Sequence, residues 1–326
     1  MPVRGGDARA PRVVFLDLAT VDRGDIDFIR LEETAGELQT WPVTRPAELD
    51  ARLSGTDVVV LNKVRLGADA IARARPGLVC LAATGSDNVD VEAARRAGTA
   101  VANIRDYCTD SVVQHVFALL LAVTVRLVDY RAELLAGAWS QSDTFTLLDL
   151  PVRELAGKTF AVVGHGTLGS AAARRAEAFG MRVLVSERPG ETPRPGRVAF
   201  EEALTQADVL SLHAPLTETT RGLIDAGALR RMRRSAVLIN TARGALVDEE
   251  ALATALREGW IGGAGLDVLS QEPPPAGHPL LAPDLPNCIV TPHIAWAARE
   301  ARQRAVDEIA ANIAAWHSGE RRNRLD

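Results

Sequence analysis

Short apolar runs recur along this chain, separated by longer stretches with apolar residues at helical spacing. In the first third the runs are VVFLDL (13–18), DVVVLN (57–62) and LVCLAATG (78–85). Such alternation predicts a parallel α/β sheet. From 110 to about 135 the periodicity is that of a long helix, with Asp110 or Ser111 placed to cap its start. A second α/β series then begins. Its strand candidates are residues 159–163, 181–186, 208–213, 236–241, 263–268 and 288–293, and residues 167–179 form the helix after the first of them. The last pattern, 299–317, is a helix that returns to the first series. The expected organisation is a doubly wound parallel sheet in residues 105–294 and a smaller, discontinuous domain from 1–104 and 295–326.

Two domains also follow from the 326 residues, because single cores usually stop growing at roughly 250 to 300 residues. The net charge of −5 gives no basic excess to attract nucleic acid or an anionic membrane. The apolar stretch 112–128 carries Gln114, His115 and Arg126 and is shorter than the roughly 20 residues of a bilayer span. Cys80, Cys108 and Cys288 form neither a disulfide framework nor metal-ligand spacing, so no metal is expected. The opening MPVRGGDARAPR has no apolar signal-type core and reads as a flexible lead-in. A cytoplasmic location is expected.

The first chemical signal is GHGTLG, Gly164 to Gly169. It follows a strand and opens a helix, the setting of a dinucleotide-binding turn: Gly164 allows the tight turn, Gly166 the approach of pyrophosphate, and Gly169 close helix-strand packing. Glu187 lies eighteen residues beyond Gly169, near the place of an acid that binds a ribose 2′-OH, which favours NAD. Arg188 beside it offers a cation to a 2′-phosphate and leaves NADP open.

The second signal is a trio: Arg243 in NTARG, Glu272 in DVLSQEPPP and His293 in TPHIAW. Each falls at the C-terminal end of an expected strand, where open α/β sheets bind ligands. Reducing a 2-keto acid needs a hydride, a proton donor and a carboxylate anchor. His293 can donate the proton, Glu272 can stabilise the imidazolium, and the planar fork of Arg243 can clamp carboxylate and carbonyl.

With GHGTLG, SLHAPLTETTRGLI, LINTARGALVDEEAL, GGAGLDVLSQEPP, HPLL and PNCIVTPHIAW in order, the chain resembles the D-isomer-specific 2-hydroxyacid dehydrogenases along nearly its whole length. NKV, ATGSDNVD, YCTDSVVQH, WSQSDTF and HIAWAAREAR make it most similar to the glycerate dehydrogenase, or hydroxypyruvate reductase, group. The resemblance implies two Rossmann-like domains, one binding NAD and one a flavodoxin-like substrate domain. It also implies a homodimer, and catalysis by Arg243, Glu272 and His293.

By the same resemblance Thr167 and Leu168 lie at the pyrophosphate, His213, Ala214 and Pro215 near the adenosine half, and Thr241, Ala242 and Asp267 around the nicotinamide, beside Arg243 and His293. Asp267 either accepts from the carboxamide or caps a turn. The turn Thr84, Gly85, Ser86 is expected to offer backbone N–H groups to a substrate carboxylate. Asn62 and Lys63 are candidates for the substrate side, with an exposed loop lysine the plainer reading of Lys63. Trp296 is either a pocket wall or a packing residue.

Ala161, His165 and Glu187 depart from the family's usual glycine, apolar or aromatic residue, and aspartate, which bears on cofactor preference. Two other readings stay open on the sequence: a dehydrogenase of a specialised 2-hydroxy acid or phosphonate, and an NAD-sensing corepressor.

Overall fold

The computed structural model describes residues 9–326, so most of the N-terminal lead-in lies outside the described residues. The chain divides into two compact units, one formed by residues up to Cys108 together with Ala297–Asp326, the other by Thr109–Trp296. Each is built on one wholly parallel sheet.

The first unit runs β1 (Arg12–Phe15), α1 (Ile29–Thr34), β2 (Glu37–Thr40), α2 (Leu49–Leu53), β3 (Val58–Leu61), α3 (Ala68–Ala74), β4 (Leu78–Leu81), α4 (Val91–Ala97) and β5 (Ala100–Ala102). Its strand order, β2-β1-β3-β4-β5, is that of flavodoxin-like sheets. VVVL and LVCL are apolar throughout because β3 and β4 are buried on both faces. The C-terminal helix Arg299–His317 belongs to this unit and buries Val306, Ile309 and Ile313. Its Asn312 donates to Asn103 O at 2.9 Å, and Arg302 makes a forked pair with Asp25 at 2.7 Å.

The second unit begins with α5 (Thr109–Thr124) and α6 (Leu127–Leu135), then β6 (Thr159–Val163), α7 (Thr167–Ala178), β7 (Arg182–Ser186), α8 (Phe200–Gln206), β8 (Val209–Leu212), α9 (Ala226–Arg231), β9 (Val237–Asn240), α10 (Glu249–Arg257), β10 (Gly263–Leu266) and β11 (Cys288–Val290). The order β11-β10-β9-β8-β6-β7 reverses between β6 and β8. That is the switch point of a doubly wound sheet, outside whose strand ends ligands bind. One core lies on each face: Leu210, Leu238 and Leu252 share one, Phe117, Phe160 and Val162 the other.

The single long helix expected from 110 is broken. Arg126 adopts a left-handed conformation at φ 57°, and α5 and α6 meet at a bend of 55°. Thr124 Oγ1 bonds back to Leu120 O at 2.8 Å, a competition that bends helices. The expected cap is also different. The helix starts at Thr109, and the Ser111 hydroxyl donates to Ala295 O at 2.6 Å. Among the described residues no single helix is long and apolar enough to cross a membrane.

Candidate active site

At the switch point, His213 N donates to Val163 O at 2.7 Å and draws the end of β8 against the glycine turn. Gly164 has φ 93°, and a Cβ there would stand 2.6 Å from Ala214 N. Only glycine meets both demands. A Cβ on Gly169 would overlap Gly164 O, so this residue lets α7 start hard against β6. Gly166, the N-cap of α7, is exposed and has nothing within 4 Å of its would-be Cβ. Its backbone and the N–H groups of Thr167 and Leu168 therefore present an open helix N-terminus suited to a pyrophosphate. At the end of β9 the Thr241 hydroxyl is buried without a hydrogen-bond partner, a polar atom a nicotinamide amide would satisfy. These features fit a dinucleotide.

Two residues assigned to the adenosine half sit differently from their simplest reading. His213 is pushed down to about 4 by burial and shares a 2.9 Å hydrogen bond with Ser211 Oγ, so it is neutral at physiological pH. Glu187 directly follows β7, but its side chain is 0% exposed. Arg194 grips both its oxygens at 2.6 Å, and Arg188 N adds a third bond at 3.0 Å. The Arg194 guanidinium, foremost through these bonds, holds the Glu187 carboxyl down at about 2.

All three members of the trio lie in the second unit, and two of them meet. His293 Nδ1 and Glu272 Oε2 are 2.6 Å apart. An ionised carboxylate only accepts, so the imidazole donates to it from Nδ1. Glu272 is itself oriented by Leu269 N, which donates to Oε1 at 3.0 Å. His293 takes φ 55°, a strained conformation for a residue with a Cβ. It is over-determined there by its own N–H, which bonds Asp267 O at 2.8 Å and Thr291 O at 3.0 Å.

Arg243 follows β9 and donates from Nη1 to Ala242 O at 2.7 Å. Buried Asn240 braces that turn, accepting from Ala242 N at 3.0 Å and donating to Arg243 O at 2.9 Å. A Cβ on Gly244 would overlap the Leu269 backbone, so this glycine lets the Arg243 segment lie directly on the loop that carries Glu272. Glu249, at the start of α10, fixes the same loop by accepting from Ser270 N at 2.6 Å. Asn240 and Gly244 were not singled out in the sequence, although both stand inside the NTARG motif.

For Asp267 the structure shows the capping alternative. The carboxylate is buried and accepts from the Thr291 hydroxyl, from Ile294 N at 2.9 Å and from Ala295 N at 2.7 Å. His115 on α5 closes the network at 2.8 Å from Thr291 Oγ1. Asp267 thus holds the backbone on both sides of His293. Trp296 does the same from the other side, donating from Nε1 to His293 O at 3.0 Å.

The remaining candidates belong to the first unit. Asn62 is buried and donates to Thr20 Oγ1 at 3.0 Å, whereas Lys63 is exposed. Their loop is organised by a residue that was not singled out, Asp17, whose buried carboxylate accepts from Asn62 N, Lys63 N and Val64 N at 2.8, 2.6 and 3.0 Å. Thr84 donates its hydroxyl to Ile104 O at 2.8 Å, which fixes the turn of exposed Thr84 and half-buried Gly85 and Ser86. Among the described residues no cluster of histidine, cysteine and acidic side chains could hold a metal. A cavity of about 360 Å³ lined by Arg126, Arg153, Lys158 and Asp208 opens at the amino ends of the strands, the end away from the trio.

A parallel sheet with a glycine turn at its switch point and an Arg, Glu and His at its carboxyl ends defines a dinucleotide-dependent dehydrogenase. The model for the D-isomer specific 2-hydroxyacid dehydrogenase, NAD binding domain, matches residues 117–295. A glycerate dehydrogenase from Methylorubrum extorquens is 44% identical over 96% of this chain and 98% of its own. A hydroxypyruvate reductase from Blautia hydrogenotrophica is 34% identical over 93% of this chain and 95% of its own. The solved TT0316 protein from Thermus thermophilus superposes with a TM-score of 0.85 at 39% identity, covering 97% of this chain and all of that one. The chain belongs to the D-isomer-specific 2-hydroxyacid dehydrogenase family and is an NAD-dependent oxidoreductase.

Proposed function

We propose that this enzyme reduces hydroxypyruvate or glyoxylate to the corresponding D-2-hydroxy acid. The observation that carries the reading is the 2.6 Å His293-Glu272 pair, on the same strand-end face as Arg243 and in a chain similar to a glycerate dehydrogenase and a hydroxypyruvate reductase. Bound NADH supplies the hydride. His293, charged as the imidazolium that Glu272 stabilises through Nδ1, gives its Nε2 proton to the substrate carbonyl oxygen and is left neutral. Arg243 aligns the carboxylate and polarises the carbonyl. By family likeness the backbone N–H groups of Thr84, Gly85 and Ser86 bind the substrate carboxylate, and Asn62, Lys63 and Trp296 complete the substrate residues.

Following NADH absorbance with hydroxypyruvate, glyoxylate, pyruvate and a bulkier 2-keto acid tests the substrate class. The two small, polar acids should be turned over at least tenfold more efficiently than the bulky one. A reversed order would overturn the assignment.

We further propose a homodimer. Leu135, Trp139, Phe145, Leu148 and Val152 are 73%, 53%, 91%, 83% and 58% exposed, a density of apolar surface that marks an interface. Its occupant is a second copy, since symmetric dimers are the commonest soluble assemblies. Light scattering should give twice the 34.8 kDa of the chain, and the monomer mass with Phe145→Asp and Leu148→Asp together. A monomeric wild type would contradict this. The free cysteines and the absence of basic excess support a cytoplasmic enzyme that works without nucleic acid or membrane.

A further inference from the structure

The acid that should read the adenosine ribose does not present itself. Val163 and Ser186 pair across β6 and β7, so Glu187 begins directly beside the glycine turn. Its backbone is then pinned to the following segment, Glu187 N donating to Val198 O at 2.8 Å. The side chain is turned wholly into protein. Oε1 accepts from Arg188 N and Arg194 Nη2, Oε2 from Arg194 Nε, and Arg197 Nη1 stands 3.5 Å from Oε1. A carboxylate has about four acceptor sites, and a forked arginine pair is the strongest of its ordinary partners. A neutral ribose hydroxyl would have to displace that fork.

What this corner offers to solvent is cationic. The side chains of Arg188 and Arg194 are 75% and 56% exposed, Arg188 with Nη1 3.5 Å from the half-exposed Glu191, while Glu187 is buried. Arg194 uses Nε and one terminal nitrogen on Glu187, and a guanidinium carries five N–H donors. Further donors therefore remain on a group already held rigid by its carboxylate. Anchored, directed N–H groups next to a dinucleotide turn suit a phosphate monoester.

We propose that Arg194, assisted by Arg188, is the residue that sets nucleotide selectivity: it neutralises Glu187 and binds a 2′-phosphate, so that the enzyme takes NADPH as well as NADH. The proposal rests on the dinucleotide site described above, and the roles are separable. Glu187 is the positioning group, and Arg194 is the contact.

The test is calorimetric binding of ADP-ribose and 2′-phospho-ADP-ribose to the intact enzyme, to Arg194→Gln and to Arg188→Gln, whose side chain does not touch Glu187. The wild type should bind the phosphorylated probe at least as tightly as ADP-ribose. Each variant should lower that ratio, Arg194→Gln by tenfold or more. Tenfold or greater preference of the wild type for ADP-ribose, or a ratio unchanged in both variants, would overturn the proposal and leave the NAD site standing. Binding of neither probe to the wild type would remove the dinucleotide site and the proposal with it.

Discussion

Arg243→Ala should lower kcat/KM for hydroxypyruvate by roughly 10³-fold, the scale of removing one preorganised electrostatic contact from developing charge, while NADH still binds. The expectation is large because the residue has two tasks at once. It anchors the carboxylate that orients the ketone, and its charge meets the oxygen that becomes an alkoxide. Asn240 and Gly244 hold its backbone independently of the side chain, so truncation should leave the site assembled. Arg243→Lys should recover little of the activity, since one ammonium cannot reproduce a planar two-point clamp. Steady-state kinetics with a fluorescence titration of NADH would separate the two effects. Turnover within tenfold of wild type would take Arg243 out of the mechanism.

His293→Ala should be comparably damaging, with a loss of about 10² to 10⁴-fold, the range for positioned acid-base groups. Glu272→Gln should cost less. Glutamine keeps a polar contact with the ring but no longer offers it a negative charge. Glu272 reaches the reaction only through the ring nitrogen 2.6 Å away, so the double variant should be no slower than His293→Ala alone. Groups that act as one unit are non-additive in this way. Measuring kcat for the three variants decides it, and losses that multiply would mean that Glu272 acts on the substrate separately.

Both parallel sheets could be read from the chain because strands buried on two faces are written as unbroken apolar runs, as in TFAVV and VVVL. β2 escaped because ELQT is an exposed edge strand, and β5 because three residues of alanine and valine carry little pattern. The break after Thr124 depends on one left-handed arginine, a backbone choice that side-chain periodicity does not encode.

At the site, the trio was legible because each member stands in a motif at a strand end. Its supports were not. Asp17 looks like any strand-end acid, and only the fold shows the backbone N–H groups that it gathers; for Asp267 capping was one of two open readings, and the fold shows the N–H groups it holds. Glu187 was found at its place in sequence, but its capture by Arg194, seven residues on, depends on the path of the intervening loop.

On this mechanism hydride and proton reach a small 2-keto acid with a defined handedness. The most direct measurement supplies purified enzyme with NADH and hydroxypyruvate alone, follows the loss of NADH and resolves the glycerate on a chiral column. Stoichiometric NADH consumption with D-glycerate as the product is expected. L-glycerate, or NADH left unconsumed, would contradict it.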